Sequence, residues 1–290
     1  MAKLTIKRRI FIVGTPRSGT TLLQSLLASH PLIHSVPETH FFYEIRKRKR
    51  DLIPWANRSN KKRWKSTCLK LSELWGTVGI DPKFEREKFP SRVSCIQYFV
   101  SLLDRLAFKE SKPIWLEKTP RHLHYIETIS NSVPDAIFIH LLRDGESTAR
   151  SIAKAAESAP ETWGPGSRYS TQSCLDRWRS DLDLHLKYVG NKKHYFTNYE
   201  SLVQKPKDCL QSMCSFIGVA FEESQLTGYR KTAEQLINSN ESWKSNTSQN
   251  IGYKQPNDQE IKSETRDEYC QFISAVQKEP SSQSYFLEHF

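Results

Sequence analysis

The most constraining feature of the sequence is a short apolar segment that leads directly into a glycine-bounded loop and then a helix. Residues 9–14 read Arg-Ile-Phe-Ile-Val-Gly, a continuous apolar run that predicts a strand buried on both faces. The loop 14–21 follows, and leucines at helical spacing predict a helix over 20–29 that ends before Pro31. The backbone N–H groups of such a loop, together with the helix N-terminus, bind phosphate or a similar anion.

This loop departs from the nucleoside-triphosphate loop at one position. The pattern G-x-x-x-x-G-K-[ST] has a lysine after its second glycine, whereas Thr20 stands there in this chain. Because that lysine neutralises the β- and γ-phosphates, its absence disfavours hydrolysis of ATP or GTP. Arg17 instead places a cation inside the loop, and its guanidinium suits bidentate contact with a phosphate or sulfonate.

Apolar runs and helical spacing alternate along the rest of the chain. They predict strands at 113–117, 136–142 and 194–198, and helices after Pro120 and over 149–156, 175–189 and 210–217. Strands separated by helices form parallel βαβ units. The expected fold class is α/β, a P-loop-like three-layer α/β/α sandwich around a central, mainly parallel sheet. No linker or repeat divides the chain, so we expect a single domain over residues 1–290.

The positive charge is concentrated in one segment. Residues 44–65 contain ten lysines or arginines and two acidic residues, which is +8 of the formal net charge of +11. Two interpretations stay open: a solvated basic segment, or an electropositive rim that attracts an acidic substrate or an anionic surface through Arg46–Arg50. No basic stripe continues elsewhere, so no specific nucleic-acid partner is expected. Polar stretches predict substrate loops or lids at 40–95, 155–172 and 238–265.

Composition excludes several other classes of protein. No apolar run reaches the ~18 residues of a membrane span, and the run Ile10–Val13 is too short for the apolar region of a secretory signal. The six cysteines form no CxxC pair and have no histidine at metal-binding spacing. We therefore expect a soluble cytoplasmic protein with free thiols and no metal site.

Three segments resemble one known family. Thr15–Leu22 resembles the 5′-phosphosulfate loop of sulfotransferases that use 3′-phosphoadenosine 5′-phosphosulfate (PAPS). Leu142–Ser151 is similar to the 3′-phosphate motif of that family, and Asn198–Val203 with Pro206 is similar to the Tyr-Glu-x-Leu segment before its last core helix. The three markers lie within about residues 9–220, and they follow one another in the same order as in the family. The run from Arg17 to Glu38 is most similar to tyrosylprotein sulfotransferases and related bacterial enzymes.

The resemblance implies a donor site for PAPS. It places the 5′-phosphate on the N–H and hydroxyl groups of the loop, at Ser18, Gly19, Thr20 and Thr21. It further implies that Arg143 and Ser151 bind the 3′-phosphate, that Tyr199 contacts the adenine unless it only packs in the core, and that Lys244 closes on the nucleotide. At position 155 the tyrosylprotein type has an arginine where this chain has Ala155, and Lys154 is the residue that could compensate.

Sulfuryl transfer to an acceptor hydroxyl or amine requires a base, and two neighbouring residues are candidates. Glu38 lies 21 residues after Arg17, where the similar enzymes have their proposed catalytic glutamate. His40 titrates near neutral pH when unperturbed, and other branches of the family use a histidine. We favour Glu38 as the base and keep His40 as the alternative.

Transfer also requires cations beside the leaving phosphate. Arg17 is one candidate and Lys118 is the other, because Lys118 follows a predicted strand and ligands of open α/β sheets gather at the carboxyl ends of strands. The resemblance implies that this lysine contacts the donor. The alternative is an exposed lysine paired with Glu117.

Two other functions remain open from the residues alone. One is a P-loop-type nucleotide kinase, and the other is a basic module that binds nucleic acid or lipid. Under the sulfotransferase interpretation, the acceptor is a small molecule, a glycan or a lipid, and the products are the sulfated acceptor and 3′-phosphoadenosine 5′-phosphate (PAP). The sequence determines neither the acceptor nor the oligomeric state.

Overall fold

The protein is built around a six-stranded, fully parallel sheet with the strand order β2-β3-β1-β4-β5-β6. This computed structural model describes residues 5–46, 64, 66–67, 91–163, 169–237, 251 and 263–287. The strands are β1 (Arg8–Gly14), β2 (Ile33–Ser35), β3 (Ile114–Lys118), β4 (Ala136–Leu142), β5 (His194–Asn198) and β6 (Gln283–Tyr285). The expected α/β fold with a central parallel sheet is confirmed.

Helices flank both faces of the sheet. They are α1 (Thr20–Ala28), α2 (Phe41–Glu44), α3 (Arg92–Lys109), a 3-10 helix (Pro120–Tyr125), α4 (Ile126–Ser132), α5 (Gly145–Ser158), α6 (Pro160–Trp163), α7 (Thr171–Leu186), α8 (Tyr199–Gln204), α9 (Pro206–Ile217), α10 (Ser224–Thr227), α11 (Tyr229–Leu236) and α12 (Ser263–Lys278). Within the described residues, no helix is both long and apolar enough to cross a bilayer.

The residues of β1 alternate between two hydrophobic cores. Phe11 packs with α3 and α4 on one face, whereas Ile10 and Ile12 pack with α1, α9 and α11 on the other. Both faces of the central strand are therefore covered, which explains why the sequence of β1 is continuously apolar.

The register brings the carboxyl ends of the central strands to one edge. Ile12 of β1 is opposite Lys118, Gly14 is opposite Leu141, and Leu142 is opposite Asn198. As a result, the loop after β1 lies at the same edge as the residues that follow β3, β4 and β5.

Some predicted loops are helical instead. The loop predicted at 155–172 is wrong for 155–158, the last turn of α5, because Ala155 and Ala156 are buried and continue its packing face. α6 also lies within that range, residues 41–44 form α2, and α3 begins at Arg92. Most of 40–95 and 238–265 lies outside the described residues, and the single-domain assignment stays a prediction.

Candidate active site

The loop between β1 and α1 has a backbone that depends on its glycines. A Cβ atom on Gly14 would lie 2.5 Å from the carbonyl oxygen of Leu141, so only glycine allows β1 to pass this close to β4. Arg17 and Gly19 both have positive φ angles, of 74° and 99°. Among the described residues, no side chain caps the N-terminus of α1, so its first N–H groups can bind a ligand.

The Ser18 side chain is a second sign of a binding loop. It is 1% exposed, and its hydroxyl has no hydrogen-bond partner within the part of the chain that the structure describes. A buried hydroxyl without a partner costs free energy, so a ligand that bonds to this loop would remove that cost. The predicted residues Thr20 and Thr21 are also buried here, in the first turn of α1.

Arg17 and Arg143 connect this loop to α5. The Nε of Arg17 donates to the Ser151 hydroxyl over 3.1 Å, and Nη1 of Arg143 donates to the Arg17 carbonyl over 3.2 Å. The Arg143 guanidinium also lies 4.3 Å from the centre of the Tyr199 ring. The structure therefore brings together four residues from three motifs that are far apart in the sequence.

Tyr199 packs against the loop at Gly19. A Cβ atom at position 19 would lie 2.4 Å from Cδ2 of the Tyr199 ring, so the ring occupies the space that a side chain there would fill. Tyr199 is half-buried and not enclosed in the core. Its ring lies between the predicted 5′-phosphate loop and Arg143.

Sequence reasoning missed Glu200 as a residue of this region. Its buried carboxylate accepts the Asp144 N–H over 3.1 Å and the Tyr269 hydroxyl over 2.9 Å. Burial raises the pKa of the Glu200 carboxyl. Glu200 thus joins the turn that follows Arg143 to α12, and no local sequence signal shows that Tyr269 reaches it.

Lys118 and Glu38 form a nearly buried ion pair beside α1. Lys118 is 1% exposed, and its Nζ donates to the Thr21 hydroxyl over 3.0 Å and to the Glu38 carboxylate. The alternative of an exposed lysine paired with Glu117 is wrong, because Lys118 is buried and pairs with Glu38 instead. The candidate base and the candidate cation are therefore in direct contact.

His40 lies at the outer side of this pair. Its Nε2 is 3.5 Å from Glu38 Oε2, and its side chain is 48% exposed, against 9% for Glu38. It precedes α2 with a φ of 51°.

Arginines surround the solvent side of α2. The guanidinium groups of Arg46 and Arg121 lie 3.5 and 4.7 Å from the centre of the Tyr43 ring. Tyr43, three residues after His40, therefore has two cationic groups against its ring.

Several predicted features lie outside the described residues or differ from the expectation. Lys244 and residues 47–50 of the Arg46–Arg50 cluster lie outside them. Ala155 is 3% exposed on the packed face of α5, where an arginine could not fit without repacking.

Across the described ranges, no group of three His, Cys, Asp or Glu side chains is arranged to hold a metal ion. The described cysteines, among them Cys95, Cys174 and Cys209, are free thiols.

The fold and site define a class: an α/β protein with a glycine-bounded loop between β1 and α1 that lacks the lysine of ATP-binding loops. The chain belongs to the Sulfotransferase family, whose model matches residues 9–223. The expected resemblance to sulfotransferases is thereby confirmed at the level of the family.

Individual relatives are distant. The chain is 28% identical to an uncharacterized protein of Aquifex aeolicus, over 77% of this chain and 27% of that protein. It is 25% identical to a protein-tyrosine sulfotransferase of Drosophila melanogaster, over 75% of this chain and 39% of that enzyme. The chain thus spans roughly a quarter to two fifths of the length of these two relatives. In fold it is similar to a sulfotransferase domain from the curacin biosynthetic pathway, with a TM-score of 0.54 and 18% identity over 94% of this chain and 98% of that domain.

Proposed function

We propose that this sulfotransferase-family chain transfers a sulfuryl group from PAPS to a hydroxyl or amine acceptor. The observation that carries the proposal is the contact between Arg17 in the loop and Ser151 in α5, with Arg143 beside both. The N-terminus of α1 offers one site for an anion, and the cationic groups beside α5 offer a second. Together they suit a nucleotide with phosphate at both its 5′ and 3′ positions.

In this proposal the loop binds the 5′ side of the donor. The N–H groups at the start of α1 and the hydroxyls of Ser18, Thr20 and Thr21 hold the 5′-phosphosulfate. Arg143 and Ser151 hold the 3′-phosphate, and Tyr199 contacts the adenine. The Ser18 hydroxyl, buried without a partner among the described residues, then donates a hydrogen bond to an oxygen of the ligand.

Glu38 is the proposed general base. The acceptor oxygen or nitrogen forms a bond to sulfur in line with the bond that breaks, which joins sulfur to the 5′-phosphate oxygen. The acceptor proton passes to the Glu38 carboxylate, and PAP leaves with the electron pair of the broken bond. Lys118, in contact with both Glu38 and Thr21, stabilises negative charge between the acceptor and the leaving phosphate.

The acceptor is proposed to be a small molecule, a glycan or a lipid that enters beside His40. Arg46 and Arg121, whose guanidinium groups lie against Tyr43 in the segment that follows His40, would repel an acceptor with positive charge. No metal takes part in the proposed reaction.

Calorimetry with PAP and AMP tests the donor site. We expect PAP to bind about 10- to 100-fold more tightly, since a charge-assisted hydrogen bond contributes about 1.5–3 kcal/mol. Arg143→Ala should remove most of this difference, whereas Lys207→Ala, which removes an exposed cation of α9 paired with Glu223, should leave it unchanged. Equal affinity of the wild type for PAP and AMP would overturn the proposal.

An acceptor panel with labelled PAPS tests the transfer itself. We expect sulfated products from at least one hydroxyl or amine class, formed equally well in excess EDTA. Turnover of ATP without transfer from PAPS would instead favour a nucleotide kinase.

A further inference from the structure

Glu117, a residue without a role in the proposed reaction, lies wholly buried near the end of β3. Its carboxylate accepts three hydrogen bonds from side chains. The hydroxyls of Thr39 and Thr119 each donate to Oε1 over 2.7 Å, and Nδ1 of His122 donates to Oε2 over 2.9 Å. A buried carboxylate is costly unless such donors surround it, so its retention at this position calls for an explanation.

Two of these donors are sequence neighbours of the candidate reacting pair. Thr39 directly follows Glu38, and Thr119 directly follows Lys118. The Thr119 hydroxyl also accepts the His40 N–H over 3.2 Å, which joins the same two segments a second time. One carboxylate therefore holds together the two stretches of chain that carry the ion pair.

The third donor fixes the start of α2. The N–H of Phe42 donates to Nε2 of His122 over 3.3 Å, so the neutral ring has its proton on Nδ1 and donates it to Glu117. The His122 ring is fully buried, edge-on to Phe42. Burial by itself would raise the pKa of the Glu117 carboxyl, but the interactions with His122, Thr119 and Thr39 outweigh it, and the pKa lies below its ordinary value.

We propose that Glu117 is a positioning residue that sets the geometry of the Glu38–Lys118 pair for sulfuryl transfer. The inference rests on the proposed function, because it assigns Glu117 an effect on the step in which Glu38 takes a proton. Glu117 touches neither donor nor acceptor in this scheme. It acts through the backbones of residues 38–40 and 118–119, where a displacement of about 1 Å can lower a rate about 100-fold.

A matched pair of substitutions at Thr39 is the most direct test. Thr39→Val keeps the shape of the side chain but removes the hydroxyl that Glu117 accepts, whereas Thr39→Ser keeps the hydroxyl. We expect kcat with a weakly acidic acceptor to fall about 10-fold in Thr39→Val and to stay within about twofold of wild type in Thr39→Ser. Equal kcat values for the two variants would overturn the proposal.

Glu117→Gln tests the carboxylate itself. The amide retains an oxygen for the two threonines but turns an NH2 group toward the N–H of His122, so that two donors face each other. We expect kcat to fall about 100-fold while the Kd for PAP changes less than about threefold. The loss of kcat should shrink with an acceptor acidic enough to ionise unaided, a dependence that a general loss of stability would not produce. A loss independent of acceptor acidity would overturn the positioning role.

Glu200→Gln provides a control at another buried glutamate of the site. Glu200 bonds to the turn after Arg143, so this variant should weaken PAP binding and leave the dependence of kcat on acceptor acidity unchanged. Wild-type protein that neither binds PAP nor transfers from PAPS would overturn the proposed function and this inference together. Normal wild-type activity with unaffected Glu117→Gln and Thr39→Val variants would overturn the inference alone.

Discussion

Arg17 donates a hydrogen bond from Nε to the hydroxyl of Ser151 over 3.1 Å, although 134 residues separate them in the chain. The sequence assigned Arg17 to the 5′ loop and Ser151 to the 3′-phosphate motif. The contact shows that the two motifs share one wall of the site. Lys118, the other candidate cation, contacts Thr21 and Glu38 instead, so the two cations have different partners.

Ser151→Ala should weaken binding of PAP about 3- to 10-fold, because one hydrogen bond contributes about 0.5–1.5 kcal/mol. The affinity for AMP, which has no 3′-phosphate, should not change. Ser158→Ala is the matched control, since Ser158 lies at the far end of the same helix and bonds only to the Ala155 carbonyl among the described contacts. Calorimetry measures the affinities of the wild type and both variants for PAP and AMP. An equal loss of affinity for PAP and AMP in Ser151→Ala would show that Ser151 does not bind the 3′-phosphate.

Glu38→Gln should lower turnover about 10²- to 10⁴-fold and leave the Kd for PAP nearly unchanged, because the amide cannot accept the acceptor proton. His40→Ala should cost less, since His40 is half-exposed and contacts the carboxylate only at 3.5 Å. The comparison uses one weakly and one strongly acidic acceptor. An active Glu38→Gln enzyme beside an inactive His40→Ala enzyme would reassign the base to His40.

Gly19→Ala should reduce affinity for PAP at least 10-fold. The new methyl group would lie 2.4 Å from Cδ2 of Tyr199, and the φ of 99° is a left-handed conformation that costs an alanine about 1–2 kcal/mol. Gly218→Ala has similar backbone strain, with a φ of 86°, but its nearest neighbour is Arg8 Nη2 at 3.9 Å. Urea unfolding should show a loss of stability in both variants, larger in Gly19→Ala because of the added clash, and calorimetry should show lost PAP affinity only in Gly19→Ala.

Three buried histidines, on β4, β5 and α7, form a chain of hydrogen bonds. His140 lies between His185 and His194, at N···N distances of 2.7 and 2.8 Å. Burial lowers the pKa of His185 to about 4 and that of His194 to about 3, and it lowers the pKa of His140 well below its ordinary value. Asp181 opposes the shift of His185, and Lys193 adds to that of His194.

The free energy of unfolding should therefore fall as pH decreases from about 6.5 to about 4. The unfolded chain takes up protons on these rings in that window and the folded chain does not, so each ring contributes a slope of up to about 1.4 kcal/mol per pH unit. Urea unfolding between pH 7 and pH 5 measures the slope. His194→Asn keeps a polar group near the Nδ1 position. It removes one titrating ring, so the slope of the unfolding free energy against pH should fall by up to about 1.4 kcal/mol per pH unit. An unchanged slope would show that His194 does not contribute to the pH dependence.

The local pattern of the sequence determined the strands and loop that form the centre of the fold. The predicted strands at 136–142 and 194–198 match β4 and β5 residue for residue, and 9–14 differs from β1 by one residue. Central parallel strands are buried on both faces, so they need continuous apolar runs that are visible in the sequence. The glycines of the loop are equally local signals, because their conformations exclude other residues.

The edge strands β2 and β6 and the helix α12 were not predicted from the sequence in the same way. β2 and β6 contain three residues each, and they are strands only because β3 and β5 provide hydrogen-bonding partners. α12 begins in a polar stretch and packs through a few apolar residues such as Phe272. Their formation depends on contacts with distant segments, which no local periodicity records.

The sequence alone placed Arg17 and Lys118 after predicted parallel strands, and the family resemblance added Glu38 and Arg143 to the candidate site. Only the tertiary structure decided which of them touch: Lys118 pairs with Glu38 and not with Glu117, and Arg17 reaches Ser151. The physical reason is that a continuous apolar run, which predicts a buried strand, is a property of a short segment, whereas a hydrogen bond depends on positions to within tenths of an ångström. Those positions are set by the packing of strands and helices from distant parts of the chain.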